Sequence, residues 1–235
     1  GVEHQLPKVD ERFYRWFRES HISNPKTGKP LRLYHGSKRL RAGEQYETLL
    51  PSRGAFGTGI YFSPKPSVAG GYAGGSSRRQ SLHSATEVGK SAGGSITPAF
   101  VSLQNPVYWD DPLPPEVIAA IQKKVGMVAQ PGMSLREITS FNLLHNDMLP
   151  AWDNKKAIME MLPEFFDGVI RASKANFDAA RLKNFDVPGA GRMYVMPFES
   201  NSVKSALTNT GEYSRAAGSM VKGAAATVGA GAAGR

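Results

Sequence analysis

Apolar positions change their period several times along the chain, and each change marks an element. Phe13, Trp16 and Phe17 fall at helical spacing between charged residues, which predicts a short amphipathic helix within Asp10 to Ser20, lying on a sheet and supporting its first strand. Pro25, Gly28 and Pro30 make the following stretch a turn. Leu31 to Tyr34 reads as strand one, with His35 at its end, and Gly59 to Phe62 as the next strand. Between them, residues 38–58 read as a loop, carrying Gly43, Pro51, Gly54 and Gly57. Pro64 to Gly71 predicts a short helix or turn that folds Tyr72 back over Tyr61. Residues 74–95, rich in Gly, Ser and Arg, read as a mobile loop, and strand character resumes from Ile96 to Leu103. The pattern is helical from Pro114 to Leu162. Val117, Ile118, Ile121 and Val125 share a face, Ser134 and Glu137 have capping-box spacing, and Ile158, Met161 and Leu162 suggest a third helix. This stretch, about 114–162, is expected to be a helical insertion between sheet halves. Asp167-Gly168-Val169-Ile170 reads as a turn into a strand, followed by a loop through Asp178, Asn184 and Asp186. A strand from Met193 to Phe198 follows, and Asn201 to Ala206 closes the fold.

Composition narrows the class. A chain of 235 residues, 40% hydrophobic and with mean hydropathy −0.34, describes a soluble globular protein of one domain with appendages. No run is long enough to span a bilayer, so no membrane partner is expected. The absence of cysteine removes disulfides, thiolate nucleophiles and cysteine metal sites together, and fits an intracellular or virion protein. No His-x-x-x-His pair and no phosphate-cradling Gly-x-x-x-x-Gly-Lys occurs, so no metal is expected. A net charge of +9 favours an anionic partner: a dinucleotide, nucleic acid or an acidic protein surface, with plain solubility as the bland alternative. The basic residues are scattered rather than striped, unlike a single-strand binder. Residues 1–11 read as a tail, 12–213 as the folded domain, and 214–235, reduced mostly to Ala, Gly, Ser and Thr, as a linker or disordered tail.

The chemistry concentrates in Leu33-Tyr34-His35-Gly36-Ser37 and in Gly59-Ile60-Tyr61-Phe62-Ser63, with Tyr72 eleven residues beyond Tyr61. Each piece is a strand ending in a polar, glycine-bearing mouth, which brings an imidazole, bare amides and two tyrosine rings to one cleft. Two facing rings make a slot for a flat heteroaromatic. An imidazole at His35 can donate to a ribose hydroxyl while the Gly36 backbone approaches a ligand closely.

These pieces resemble the NAD-binding half of ADP-ribosyltransferases of the diphtheria-toxin and poly-ADP-ribose-polymerase branch, whose motif is His, Tyr and then usually Glu. The flanks Phe13-x-x-Trp16-Phe17 and Gly28-Lys29-Pro30-Leu31 narrow the resemblance to the ADP-ribosyltransferase domain of phage and prophage polyvalent proteins. Val101 to Pro106, Asp167 to Ile170 and Val203 to Ala206 agree with it in order. The resemblance implies an α+β fold with a split two-sheet β core, flanking helices and an NAD cleft, the 38–58 segment covering the nicotinamide pocket. It further implies that His35 holds the ribose, Gly36 hydrogen-bonds the nicotinamide amide, and Tyr61 and Tyr72 frame the ring. Tyr34, Ser37, Gly59, Phe62 and Ser67 complete the expected NAD-binding set. The serine that polymerases carry eight residues past the first tyrosine is here Ala69, and Ser67 is nearby. The glutamate position of the third motif reads Tyr194, and the nearest acid is Glu199, a candidate that a bulge at Pro197 would have to re-aim. The implied activity is transfer of ADP-ribose from NAD to a host macromolecule, protein rather than nucleic acid, in the bacterial cytoplasm, with virion delivery open. A catalytically degenerate binding module and a basic DNA-associated virion component remain as alternatives.

Overall fold

The computed structural model describes residues 10–24, 26–38, 47–54, 57–73, 94–145, 155–174, 177, 179–182, 194–207, 209, 213, 216 and 219–220. The expected N-terminal tail, most of the 74–95 loop and the end of the chain lie outside them.

Helix α1 (Glu11–Phe17) starts where the Asp10 side chain accepts the backbone N–H groups of Arg12 and Phe13, satisfying donors that a helix start leaves orphaned. Its Phe13, Trp16 and Phe17 are buried with Phe100 and Ala206 on one face of an antiparallel sheet. That sheet runs β1 (Leu33–Ser37), β4 (Ser95–Val101), β8 (Val203–Ser205), with β4 at its centre. Ala99 and Val101 enter a second cluster with Leu33, Ile60, Phe62 and Val195, while Phe100 faces α1, so β4 is covered on both faces.

The second sheet runs β5 (Pro106–Tyr108), β6 (Ala179–Leu182), β7 (Tyr194–Pro197), its first pair parallel and its second antiparallel. Helices α3 (Pro115–Val125), α4 (Leu135–His145) and α5 (Lys155–Lys174) bury Val117, Ile118, Ile121, Ile138, Val169 and Ile170 in one core with Val107, Trp109, Met196 and Phe198. The helical stretch therefore shares its core with this sheet. The capping box forms as expected: the Ser134 N–H and hydroxyl donate to Glu137 Oε2, and the Glu137 N–H donates to Ser134 Oγ.

Three expectations fail locally. Asp167 to Ile170 is not a turn and strand but the continuation of α5; Phe165, Phe166, Val169 and Ile170 keep helical spacing, and Pro163 stands inside the helix. Ala179 to Leu182, within the expected loop, is β6, whose Ala-Ala-Arg-Leu composition carries little strand preference. Residues 52–59 contain a ribbon of β2 (Ser52–Gly54) paired with β3 (Gly57–Gly59) where a loop was expected. Gly57, at φ +85, takes a backbone conformation in which a side chain would be strained.

The expected tail also contributes to the core. Met220 is fully buried among Leu33, Val101 and Val203. Its N–H donates to Glu47 O at 2.6 Å, and its carbonyl accepts from Ser205 N–H and Asn209 Nδ2. The buried Lys204 donates from Nζ to Ser219 O at 2.6 Å, and burial lowers its amine to about 8.

The two sheets meet along Gly59–Ser63. On one side Phe62 exchanges backbone hydrogen bonds with Val195 of β7, at 2.8 and 2.9 Å. On the other, Ser63 exchanges them with Tyr34 of β1, at 2.8 and 3.0 Å. Successive residues of an extended chain bond to opposite sides, so this segment joins one sheet to the other.

Candidate active site

At that seam β1, the ribbon and helix α2 (Pro66–Ala73) enclose a cavity of about 210 Å³. Tyr34, His35 and Gly36 come from β1, Ser52 and Gly54 from β2, Tyr61, Phe62 and Ser63 from the seam, and Val68, Ala69 and Tyr72 from α2. The volume is below the roughly 300–1,000 Å³ of pockets that enclose a whole drug-sized ligand. A space of this size holds one small ring rather than a whole large ligand.

Each wall has a local cause. An added Cβ on Gly36 would stand 1.9 Å from Ala69 O, so the glycine lets α2 lie directly on β1. Gly36 lines the cavity, and its missing side chain is also a packing requirement. Gly54 lies on the Tyr61 ring, where a Cβ would be 2.6 Å from two ring carbons. The Tyr61 hydroxyl donates to Gly57 O at 2.5 Å. Tyr72 is half exposed on the last turn of α2, at the cavity's rim.

His35 lies within β1 rather than at its end. Its Nδ1 is 2.9 Å from Tyr61 O, and since a carbonyl only accepts, Nδ1 carries the proton. Burial lowers the imidazole's pKa below 6.5, opposed by the Tyr61 bond, so the ring is neutral at pH 7. A neutral ring protonated on Nδ1 has Nε2 as its acceptor nitrogen. The expectation that His35 donates to a ribose hydroxyl is thereby corrected: in this tautomer the imidazole can only accept there. Its ring packs against Phe62 with centroids 5.7 Å apart.

The structure thus brings Tyr34, His35, Gly36, Tyr61, Phe62 and Tyr72 to one cavity. It does not bring Ser37, Gly59, Ser67 or Glu199 to the lining. Ser37 pairs with Ser95 at the end of β1. Gly59 packs against β7, where a Cβ would stand 2.3 Å from Met196 Cγ. Ser67 is exposed on α2, and Ala69 occupies the wall. Glu199 is an exposed residue at the start of the 3-10 turn Ser200–Ser202. No carboxylate is among the described residues lining the cavity, and they hold no cluster of His, Cys, Asp or Glu fit for a metal ion. Sequence reasoning missed Ser52, Gly54, Ser63 and Val68 as wall residues and named Ala69 only where a serine was looked for; Ser63 was legible as the residue directly after the Gly-Ile-Tyr-Phe strand.

The fold is thus mixed α+β, with a cleft walled by a histidine, three tyrosines, a phenylalanine and glycine-bearing strands. The profile of one family, ADP-ribosyltransferase in polyvalent proteins, matches residues 25–213, and the chain belongs to that family. The family implies the ADP-ribosyltransferase fold, ADP-ribosyl transfer as the general chemistry, NAD as co-substrate and an acceptor. No curated protein and no solved structure matches the chain. Among the described residues, no helix is long and apolar enough to cross a membrane.

Proposed function

We propose that this chain is a mono-ADP-ribosyltransferase of phage or prophage origin that transfers ADP-ribose from NAD to a host protein. The observation that carries this reading is the convergence of His35, Tyr61 and Tyr72 on one ring-sized cavity, with the His35 tautomer set by Tyr61 O. In the proposed reaction the bond between the nicotinamide nitrogen and ribose C1′ breaks, and its electron pair leaves with nicotinamide. A lone pair of the acceptor forms the new bond to C1′, and the acceptor's proton passes to a base. Tyr61 and Tyr72 frame the departing ring, the Gly36 backbone binds its amide, and His35 Nε2 accepts from a ribose hydroxyl. Tyr34 and Phe62 shape the pocket behind them. Glu199 is the candidate acid under the developing oxocarbenium charge. It lies two residues beyond β7 in sequence, and β7 is bonded to the seam.

A second reading is a module that binds NAD without turning it over. The absence of a carboxylate among the described cavity-lining residues favours it. Nicotinamide release from NAD, measured on the wild type, His35→Ala and Glu199→Gln with host lysate as acceptor, separates the two. The transferase reading expects turnover in the wild type and losses of at least about 100-fold in both variants. Turnover that survives Glu199→Gln assigns the acid elsewhere. NAD binding with no turnover establishes the module. No NAD binding at all overturns both, and steeply salt-dependent DNA binding would then favour a virion role for the positive charge.

A further inference from the structure

Asp167 is absent from the cavity wall, yet helix α5 reaches the cavity through it. Its Oδ1 accepts the backbone N–H of Thr58 in β3 at 2.9 Å. Gly57 approaches so closely that a Cβ would stand 2.8 Å from Asp167 Cα and 3.0 Å from Oδ1. The Gly57 carbonyl in turn accepts the Tyr61 hydroxyl at 2.5 Å, while Gly54 of the paired strand lies against the ring. Tyr61 is therefore held at its hydroxyl and along its ring by the ribbon, and at its backbone carbonyl by His35 Nδ1–H. A carboxylate is suited to the first link, since a charged acceptor makes a stronger bond to a backbone N–H than a neutral one.

The same helix anchors the ribbon and its own core together. Gly168 lies against α3, where a Cβ would stand 3.2 Å from Val125 Cγ1, and Val169 and Ile170 are buried beyond it. One turn earlier, Glu164 pairs with Arg53 of β2 at 3.1 Å, but both side chains are exposed and such a pair adds little. The Arg171 contact to Asp167 Oδ2, at 3.4 Å from an exposed guanidinium, is weak for the same reason. The tie that matters is Asp167 to Thr58.

We propose that Asp167 is a positioning residue for the reacting ring: it fixes the β2–β3 ribbon, and through Gly57 and Gly54 the ribbon fixes the plane of Tyr61 against which nicotinamide stacks. This rests on the reading of the cavity as the nicotinamide slot. Its two arms, NAD affinity by calorimetry and hydrogen exchange of the Thr58 amide, are measured on the full chain. Asp167→Ala weakens NAD binding about tenfold and accelerates Thr58 exchange, because a small misplacement of one wall costs the stacking geometry. Asp167→Asn keeps an oxygen at Oδ1 and stays within about twofold of wild type. Tyr61→Phe removes only the hydroxyl link; it weakens NAD binding while Thr58 exchange stays slow. The double variant Asp167→Ala/Tyr61→Phe loses less than the product of the two fold-changes, because both act on one ring.

Unchanged NAD affinity in Asp167→Ala, or in Tyr61→Phe should the former not fold, would overturn the proposal. So would multiplicative fold-changes in the double variant, or an Asp167→Asn as weak as Asp167→Ala. A wild-type chain that binds no NAD would overturn the functional reading, and with it the role toward nicotinamide. The mechanical link from Asp167 to the ribbon would then be judged by Thr58 exchange alone, and fails if Asp167→Ala leaves that exchange slow.

Discussion

His35 carries a proton on Nδ1 because Tyr61 O demands one, and it is neutral because it is buried. The unfolded chain protonates this imidazole near pH 6.5, and the folded chain only at lower pH. Between those values the unfolded state holds more protons, so stability falls as pH drops through that window and rises again with pH. Thermal unfolding on both sides of pH 6.5 should therefore show wild type losing stability in acid relative to His35→Gln. A proton on Nε2 also converts an acceptor into a donor, so ligand affinity should shift in the same range. His35, Tyr61 and Tyr72 were legible in the sequence because their types and spacing match a known motif. The reasons for the glycines were not. Gly36 and Gly59 read as ligand-approach positions, but the atoms that exclude a side chain there belong to Ala69 and Met196. Close approach between distant segments leaves no local trace in the sequence.

At the scale of elements, strong periodicity and capping chemistry transferred well from sequence to structure. Helix α4 begins where Ser134 and Glu137 exchange hydrogen bonds. Ser134→Ala removes the N-cap acceptor and is expected to cost about 1 kcal/mol in chemical denaturation, with no change in the cavity. Where local and tertiary preferences conflict, packing decides. Pro163 argues for a helix end, but the apolar spacing through Ile170 carries α5 onward because that face is buried against α3 and Trp109. Conversely, Ala179 to Leu182 is a strand because β5 and β7 supply partners on both sides, a property of its neighbours rather than of its own residues.

For the molecule as a whole, the family match ends at residue 213 but the core does not. Met220 fills the centre of the cluster between the first sheet and the seam, and Lys204 reaches the carbonyl beside it. Met220→Ala is expected to destabilise the fold by about 2–5 kcal/mol, read as a lowered denaturation midpoint. Composition hid this, since a single methionine among alanines and glycines looks like tail. The positive charge is equally uninformative about position: a net +9 read from composition says nothing of where on the fold it gathers.

The seam also has a temporal meaning. Tyr34 must meet Ser63, and Phe62 must meet Val195, before the cavity has its walls. Contacts between residues so far apart along the chain close late, because the entropy of the intervening loop is lost before any bond is gained. During synthesis His35 and Tyr61 emerge long before Val195 exists to support them. A nascent chain thus carries His35, Tyr61 and Tyr72 before the strand that partners Phe62 has been made.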